Sequence, residues 1–168
     1  MVTTPPSHDH SRTHECMVVM SGTARIRFGV ADTSEDLQEN TYGTAYETGG
    51  ITLDAKAGDA FLIPAGVAHK THMCRPRKSL ALLTPGEGHG LVAQPGKTID
   101  QAMEKIELSG FTMCGAYPFG GQWDFAVGGE DAGAYERVHS VAKPKLDPFL
   151  GDSPEGLVGI WQDARMQT

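Results

Sequence analysis

A chain of 168 residues is long enough to bury a core without disulfide staples, and it is read as one domain, 1–168. Its net charge of -7, with an isoelectric point near 5.4, argues against nucleic-acid or anionic-membrane partners; the densest basic run, Arg75-Pro76-Arg77-Lys78, is a short solvated loop. No apolar run approaches membrane-spanning length, the amino terminus is polar, and Cys16, Cys74 and Cys114 are widely spaced, which together suit free, mostly buried thiols in a reducing cytosol.

Met1 to Ser7 is expected to be frayed or extended, with His8 held less firmly than His10. These two histidines are two positions apart, so an extended strand sends both imidazoles out of one face. Glu15 follows after a gap of four residues, enough for a bend that returns its carboxylate to the same place. Cys16 to Met20 is a compact apolar strand, turned by Ser21-Gly22. Thr23 to Val30 alternates, with Ala24, Ile26, Phe28 and Val30 on one face and Arg25, Arg27 and Gly29 on the other. That pattern predicts a half-buried antiparallel strand with both arginines in solvent. Residues 31–50 are polar and end in Gly49-Gly50, which reads as a surface excursion. Ile51, Leu53 and Ala55 alternate again, and Lys56 to Asp59 is a turn that Asp59 serves structurally. Asp59 to Ile63 is strand-like, Pro64-Ala65-Gly66 turns, and His69 opens a further strand.

Beyond Cys74 the pattern breaks, and prolines and glycines mark an irregular insertion over about 75–109. Within it, Thr98 to Leu108 predicts a short helix with Thr98 as its cap and Ile99, Met103 and Ile106 on one stripe. A long insertion of this kind suits a lid or a subunit contact. His89, among glycines, is expected in an exposed loop. Phe111 to Tyr117 resumes a strand, and 111–161 is read as the C-terminal strands, closing on Gly159-Ile160-Trp161.

His8, His10, Glu15 and His69 would thus offer three neutral nitrogens and a carboxylate to one divalent transition metal, with positions left for water or substrate. Iron, manganese, copper, nickel and zinc all remain open. A competing set is His10, His14 and His69, formed if the chain kinks before Glu15; otherwise His14 points to the opposite face and bonds backbone or solvent. His72 is an odd number of residues from His69 and should face away. By parity with Glu15, Met17 and Val19 line the site, with Ile63 or Phe61 and Thr71. No Rossmann or P-loop glycine pattern occurs, so no nucleotide cofactor is expected.

At these residues the chain resembles the cupin superfamily. His8, His10, Glu15 and Gly22 meet its first motif (8–22), and Gly58, Pro64, Gly66 and His69 meet its second (58–69). Val2 stands where the first motif usually has Gly, and Met73 where an Asn usually follows the second. The start His8, His10, Ser11, His14, Glu15, together with GAYPFGGQWDF and the later Asp147-Pro148, is similar to the YjlB-like cupins and to cupin-domain oxidoreductases of fungal polyketide clusters. The resemblance implies an all-β fold, the cupin double-stranded β-helix or jelly-roll barrel. Here it would be short at the N-terminus and carry a helical and irregular insertion. Because the first ligand is already residue eight, the strands that usually precede it are expected to be absent, replaced by a partner subunit, or lost from a shortened gene product; a homodimer would cover the open edge.

The implied function is metal-dependent oxidation of a small aromatic or polyketide-derived metabolite in secondary metabolism, in the cytoplasm. Two alternatives stand beside it: a non-redox metal-dependent isomerase, cyclase or hydratase, and a non-catalytic metabolite-binding accessory protein. Fold alone does not choose among them.

Overall fold

The computed structural model describes residues 5–84, 95–127 and 135–161; His89 lies outside the described residues. Among the described residues, eight strands are β1 (His8–Asp9), β2 (Glu15–Ser21), β3 (Thr23–Phe28), β4 (Ile51–Lys56), β5 (Ala60–Ile63), β6 (His69–Arg75), β7 (Thr112–Ala116) and β8 (Ala126–Val127). Four short helices are α1 (Leu37–Tyr42), α2 (Ile99–Met103), α3 (Tyr135–His139) and α4 (Leu157–Ile160). The strands form two antiparallel sheets, in the orders β4-β3-β6-β1-β8 and β5-β2-β7. The fold is therefore mostly β.

Period-two alternation places the core between the sheets. Met17 and Val19 of β2 and Ile63 of β5 meet Ile26 and Phe28 of β3 and Ala55 of β4, with Phe61, Val67, Phe111 and Met113 packed around them. Gly22 joins β2 to β3 with φ +73, and a Cβ there would lie 2.5 Å from the Arg75 carbonyl oxygen. Both conformation and space demand glycine. Met73 adopts φ +54, a conformation that Asn tolerates better than Met, at the position where the cupin pattern usually has Asn.

Several sequence expectations need correction. Arg27 is not in solvent: its side chain is 5% exposed, whereas Arg25 is exposed and pairs with Asp54 at 2.9 Å. Residues 31–50 are more than a surface excursion, because Asn40 and Thr41 of α1 are buried. Ser7 is not frayed, being 1% exposed, with its N–H on Asp32 and its hydroxyl on the Val30 carbonyl. Cys114 is exposed, so the thiols are not mostly buried. The 111–161 region is not strand throughout: β7 and β8 are followed by α3 and α4, and Gly159-Ile160-Trp161 falls at the end of α4. In the insertion, α2 forms with Thr98 and Gln101 in a capping box but stops at Met103.

The Arg27 correction has a physical cause on the outer face of the five-stranded sheet. Arg27 and Lys70 are register partners on β3 and β6, and their cations share one carboxylate. Arg27 Nη2 donates to Asp32 Oδ1 at 3.0 Å and to the Asn40 carbonyl at 2.8 Å. Lys70 Nζ donates to Asp32 Oδ2 at 2.9 Å, and Tyr46 lies against the guanidinium, 3.7 Å from its carbon to the ring centroid. Burial pulls the Lys70 pKa down, opposed by Asp32. Removing the acid strands two buried cations, so Asp32→Ala should lower unfolding free energy by about 3–5 kcal/mol in urea titrations. A loss under about 1 kcal/mol would show that this network is not what holds residues 31–50 to the sheet.

The C-terminal segment is held by another carboxylate. Asp147 Oδ1 accepts from the N–H groups of Phe149 and Leu150, and Oδ2 from Leu157 N–H, at 2.7–2.8 Å. Those three donors, Leu150 first, hold its carboxyl below the usual carboxylate range. A depressed folded-state pKa stabilises the fold above that range, and the contribution is lost as pH falls through the folded-state value. Asp147→Ala should therefore lower the melting temperature at neutral pH, with the gap to wild type closing progressively as the pH is taken below the usual carboxylate range. A gap independent of pH would contradict this account.

Candidate metal centre

The site lies where β1 enters the larger sheet beside β6. His8 and His69 are direct register partners, and His8 also faces Val127 of β8. His10 follows two residues later and projects to the same side. One ligand atom from each of His8, His10 and His69 can be chosen so that all three lie within 4.8 Å of one another. Glu15 falls outside that trio, yet its Oε2 is 3.4 Å from His10 Nε2 and 3.5 Å from His69 Nε2. The smaller sheet delivers it, since Glu15 opens β2 opposite Ile63. All four expected ligands are thus neighbours. His10, Glu15 and His69 are buried, and His8 is half-buried.

His14 and His72 sort as strand parity requires, and His139 closes α3. His14 leaves the opposite face of the chain, where its Nδ1 accepts from Ala65 N–H at 2.9 Å and its ring meets Trp161 edge-on. The competing His10, His14, His69 set is not assembled. His72, on β6 opposite Arg25 of β3, is buried on the outer face of the sheet. Of the expected lining, Met17, Val19 and Ile63 are buried in the core, with Phe61 packed against it and Thr71 half-buried.

Outer contacts orient the imidazoles. His10 Nδ1 meets the backbone carbonyl of Asp124, whose carboxylate accepts from Ser11 N–H at 2.7 Å and Ser11 hydroxyl at 2.5 Å. His69 Nδ1 lies 3.3 Å from the Val67 carbonyl. With Nδ1–H donated outward in each ring, the Nε2 lone pair is left facing inward, as a metal ligand needs. Glu15 Oε2 is buried with no hydrogen-bond partner, and so is His8 Nδ1. A buried acceptor without a donor is costly, and a cation among these groups removes the cost. The residues present therefore fit a divalent metal ion.

Charge balance within the group is uneven. Burial lowers the His8 pKa to about 4, helped by His69 and His10. Burial lowers His69 as well, against the pull of Glu15. Burial also works against His10, but Glu15 and the Asp124 carbonyl outweigh it and raise its pKa. Burial pushes Glu15 up, yet His10, His69 and the Tyr117 hydroxyl hold it below the usual range.

Sequence reasoning passed over three aromatic residues at this site. Tyr117 donates its hydroxyl to Glu15 Oε1 at 3.0 Å and lies 3.5 Å from His10 Nε2. Burial and the Glu15 charge raise its pKa, so it keeps its proton. Phe125 stacks on His8 with ring centroids 4.2 Å apart, and Trp123 meets His10 edge-on at 5.8 Å. All three sit in GAYPFGGQWDF, a stretch noticed for its resemblance but not assigned to the site.

Isothermal titration with zinc, beside elemental analysis of purified protein, tests the ligand set. His69→Ala and His10→Ala should each weaken metal binding by more than the roughly 10–100-fold typical of outer-contact changes, while Tyr117→Phe stays within that range. Metal retained at full affinity in His69→Ala would remove His69 from the set.

Among known proteins, the chain is 28% identical over 159 residues to the uncharacterized protein YjlB of Bacillus subtilis (strain 168), an alignment covering 94% of this chain and 66% of that protein. The chain thus spans just under two thirds of the length of this relative. No family model and no solved structure matches the chain. The similarity to YjlB agrees with the narrower resemblance seen in the sequence and carries no activity with it.

Proposed function

We propose that the chain is a cupin, a jelly-roll protein whose single divalent metal ion serves oxidation of a small aromatic or polyketide-derived metabolite. The observation that carries this reading is the convergence of His8, His10 and His69, with Glu15 Oε2 beside two of them. A bound iron, manganese or copper ion would supply redox chemistry there, and any divalent ion would polarise a substrate oxygen. His8, His10, Glu15 and His69 would hold it. Phe125, 48% exposed and stacked on His8, stands at the edge of the site as a flat surface for a planar substrate. Trp123 and Tyr117 continue that surface over His10. Together these rings favour an aromatic or conjugated substrate and keep water from the ligands.

One observation favours a non-redox reading as the second choice. Tyr117 carries a proton directly on Glu15 and within reach of His10, so a hydroxyl donor stands beside any oxygen bound at the centre. Such a donor suits isomerase, cyclase or hydratase chemistry, in which a proton is moved and no electrons are lost.

The test is to load the protein separately with iron(II), manganese(II), copper(II), nickel(II) and zinc(II) and follow dioxygen uptake with aromatic alcohols and aldehydes of the salicyl type. Turnover confined to the redox-active metals and lost in His69→Ala is the expected result. Substrate conversion that is equal with zinc, needs no dioxygen and falls roughly 10²–10⁴-fold in Tyr117→Phe would establish the second reading instead. Tight substrate binding without turnover under any metal would overturn both and leave an accessory binding protein.

A further inference from the structure

Strand β2 has two faces, and only one is used by the metal centre. Glu15 and Met17 point inward; His14 and Cys16 therefore point to the outer side of the small sheet. On that side Cys16 is flanked in register by Leu62 of β5 and Ala116 of β7, a flat apolar row across all three strands. The C-terminal segment arches over this row. Pro144, Leu146, Pro148, Leu157 and Trp161 face it across a cavity of about 320 Å³. None of His8, His10 and His69 lines this space, although Glu15 and Tyr117 stand at the wall it shares with their site.

We propose that this cavity is a second binding site, one that takes a small, neutral, largely apolar molecule with an aromatic ring. Its volume lies within the range of small-molecule pockets, at the lower end. Its walls are stiff: three of the lining residues are prolines from Pro118 to Pro148, and Asp147 ties the arch through three backbone N–H groups. A cleft held open by such a frame keeps its apolar lining against water, which an apolar ligand would displace.

Charge selects the ligand class. Of the polar groups at the wall, His14 Nδ1 accepts from Ala65 N–H and both Asp147 oxygens accept from backbone donors, while His14 Nε2 is buried without a partner and could meet one polar group of a neutral ligand. An anion would meet the Asp147 carboxylate, and a cation would have to compete with the three backbone donors already on it. A neutral molecule avoids both penalties. Trp161, whose ring is set by its edge-on contact with His14, offers the aromatic surface.

The chain contains two tryptophans, one at each site, which makes the test direct. Trp123 stands by His10 and Trp161 lines the cavity. The probe is 4-bromophenol, neutral at pH 7, whose heavy atom quenches indole emission only at contact. In Trp123→Phe protein, where Trp161 alone emits, quenching should saturate. It should persist, with a dissociation constant changed less than twofold, when His69→Ala is added, since that variant removes a metal ligand and leaves the cavity alone. Ala116→Phe, which fills the floor, should weaken binding at least tenfold. Leu146→Arg, which puts a charge on the partly exposed roof, should do the same and serves if Ala116→Phe fails to fold. Quenching of Trp161 that rises linearly without saturation, or that neither cavity variant alters, would overturn the proposal. So would saturable quenching of Trp123 alone, seen in Trp161→Phe, because it would place the ligand at the metal centre.

Discussion

The pairing of β1 with β6 is the contact on which the site depends, because it sets His8 directly opposite His69. Two imidazoles in direct register cannot both carry charge without repulsion, and His10 adds a third to the same face. The structure answers with neutrality and one acid. His8 is driven to a pKa of about 4, His69 is lowered too, and Glu15 comes from the other sheet to meet His10 and His69. Three basic nitrogens gathered at one face are an expensive arrangement for a fold to maintain. They make sense together as ligands, since a cation turns their mutual crowding into coordination.

Such a cluster needs a stiff frame, and the two sheets are secured on their outer faces by different means. Behind the large sheet, Asp32 joins Arg27, Lys70 and the Ser7 N–H, so residues 31–50 and the start of β1 are fastened to β3 and β6 by one carboxylate. His8 is the next residue after Ser7, which places this acid one step from the first imidazole. Behind the small sheet, Asp147 organises the C-terminal arch through backbone donors alone. Both devices fix irregular chain that is otherwise paired only by isolated bridges, Asp32 with Tyr46 and Asp147 with Gly151. The first is a buried charge network, which favours one arrangement more than it adds net stability.

Much of this was legible in the sequence because strand periodicity is short and strict. Ala24, Ile26, Phe28 and Val30 alternate with polar residues, and all four are buried. The same parity separates His14 from Glu15 and His69 from His72. The turn at Gly22 was legible since only glycine accepts that conformation in so confined a space. Arg27 was not, because its burial depends on Asp32, Asn40 and Tyr46, which come from a stretch whose polarity suggests solvent. Polarity reports what a residue needs, and a buried partner satisfies the need as well as water does. The aromatic wall failed to register for a related reason: Tyr117, Trp123 and Phe125 follow no period, and loop backbone positions each of them. The last turn of chain misled in the other direction. Gly159-Ile160-Trp161 is apolar enough for a strand, but it joins neither edge of the smaller sheet and closes instead as the end of α4.

Strand β2 brings these observations together, since it is the central strand of the small sheet and is committed on both sides. Its inward face begins with Glu15 and continues as core through Met17 and Val19. Its outward face begins with His14 and Cys16, under the C-terminal arch. His14 holds the N–H of Ala65, and the next residue, Gly66, donates its own N–H to the carbonyl of His10. Gly66 has φ +75, and a Cβ there would sit 2.3 Å from Val138, so this turn admits little adjustment. A path of two hydrogen bonds and one turn therefore runs from the outer cavity wall to a histidine of the candidate metal centre. The strand and the turn that wall the outer cavity are thus the same ones that set the positions of Glu15 and His10.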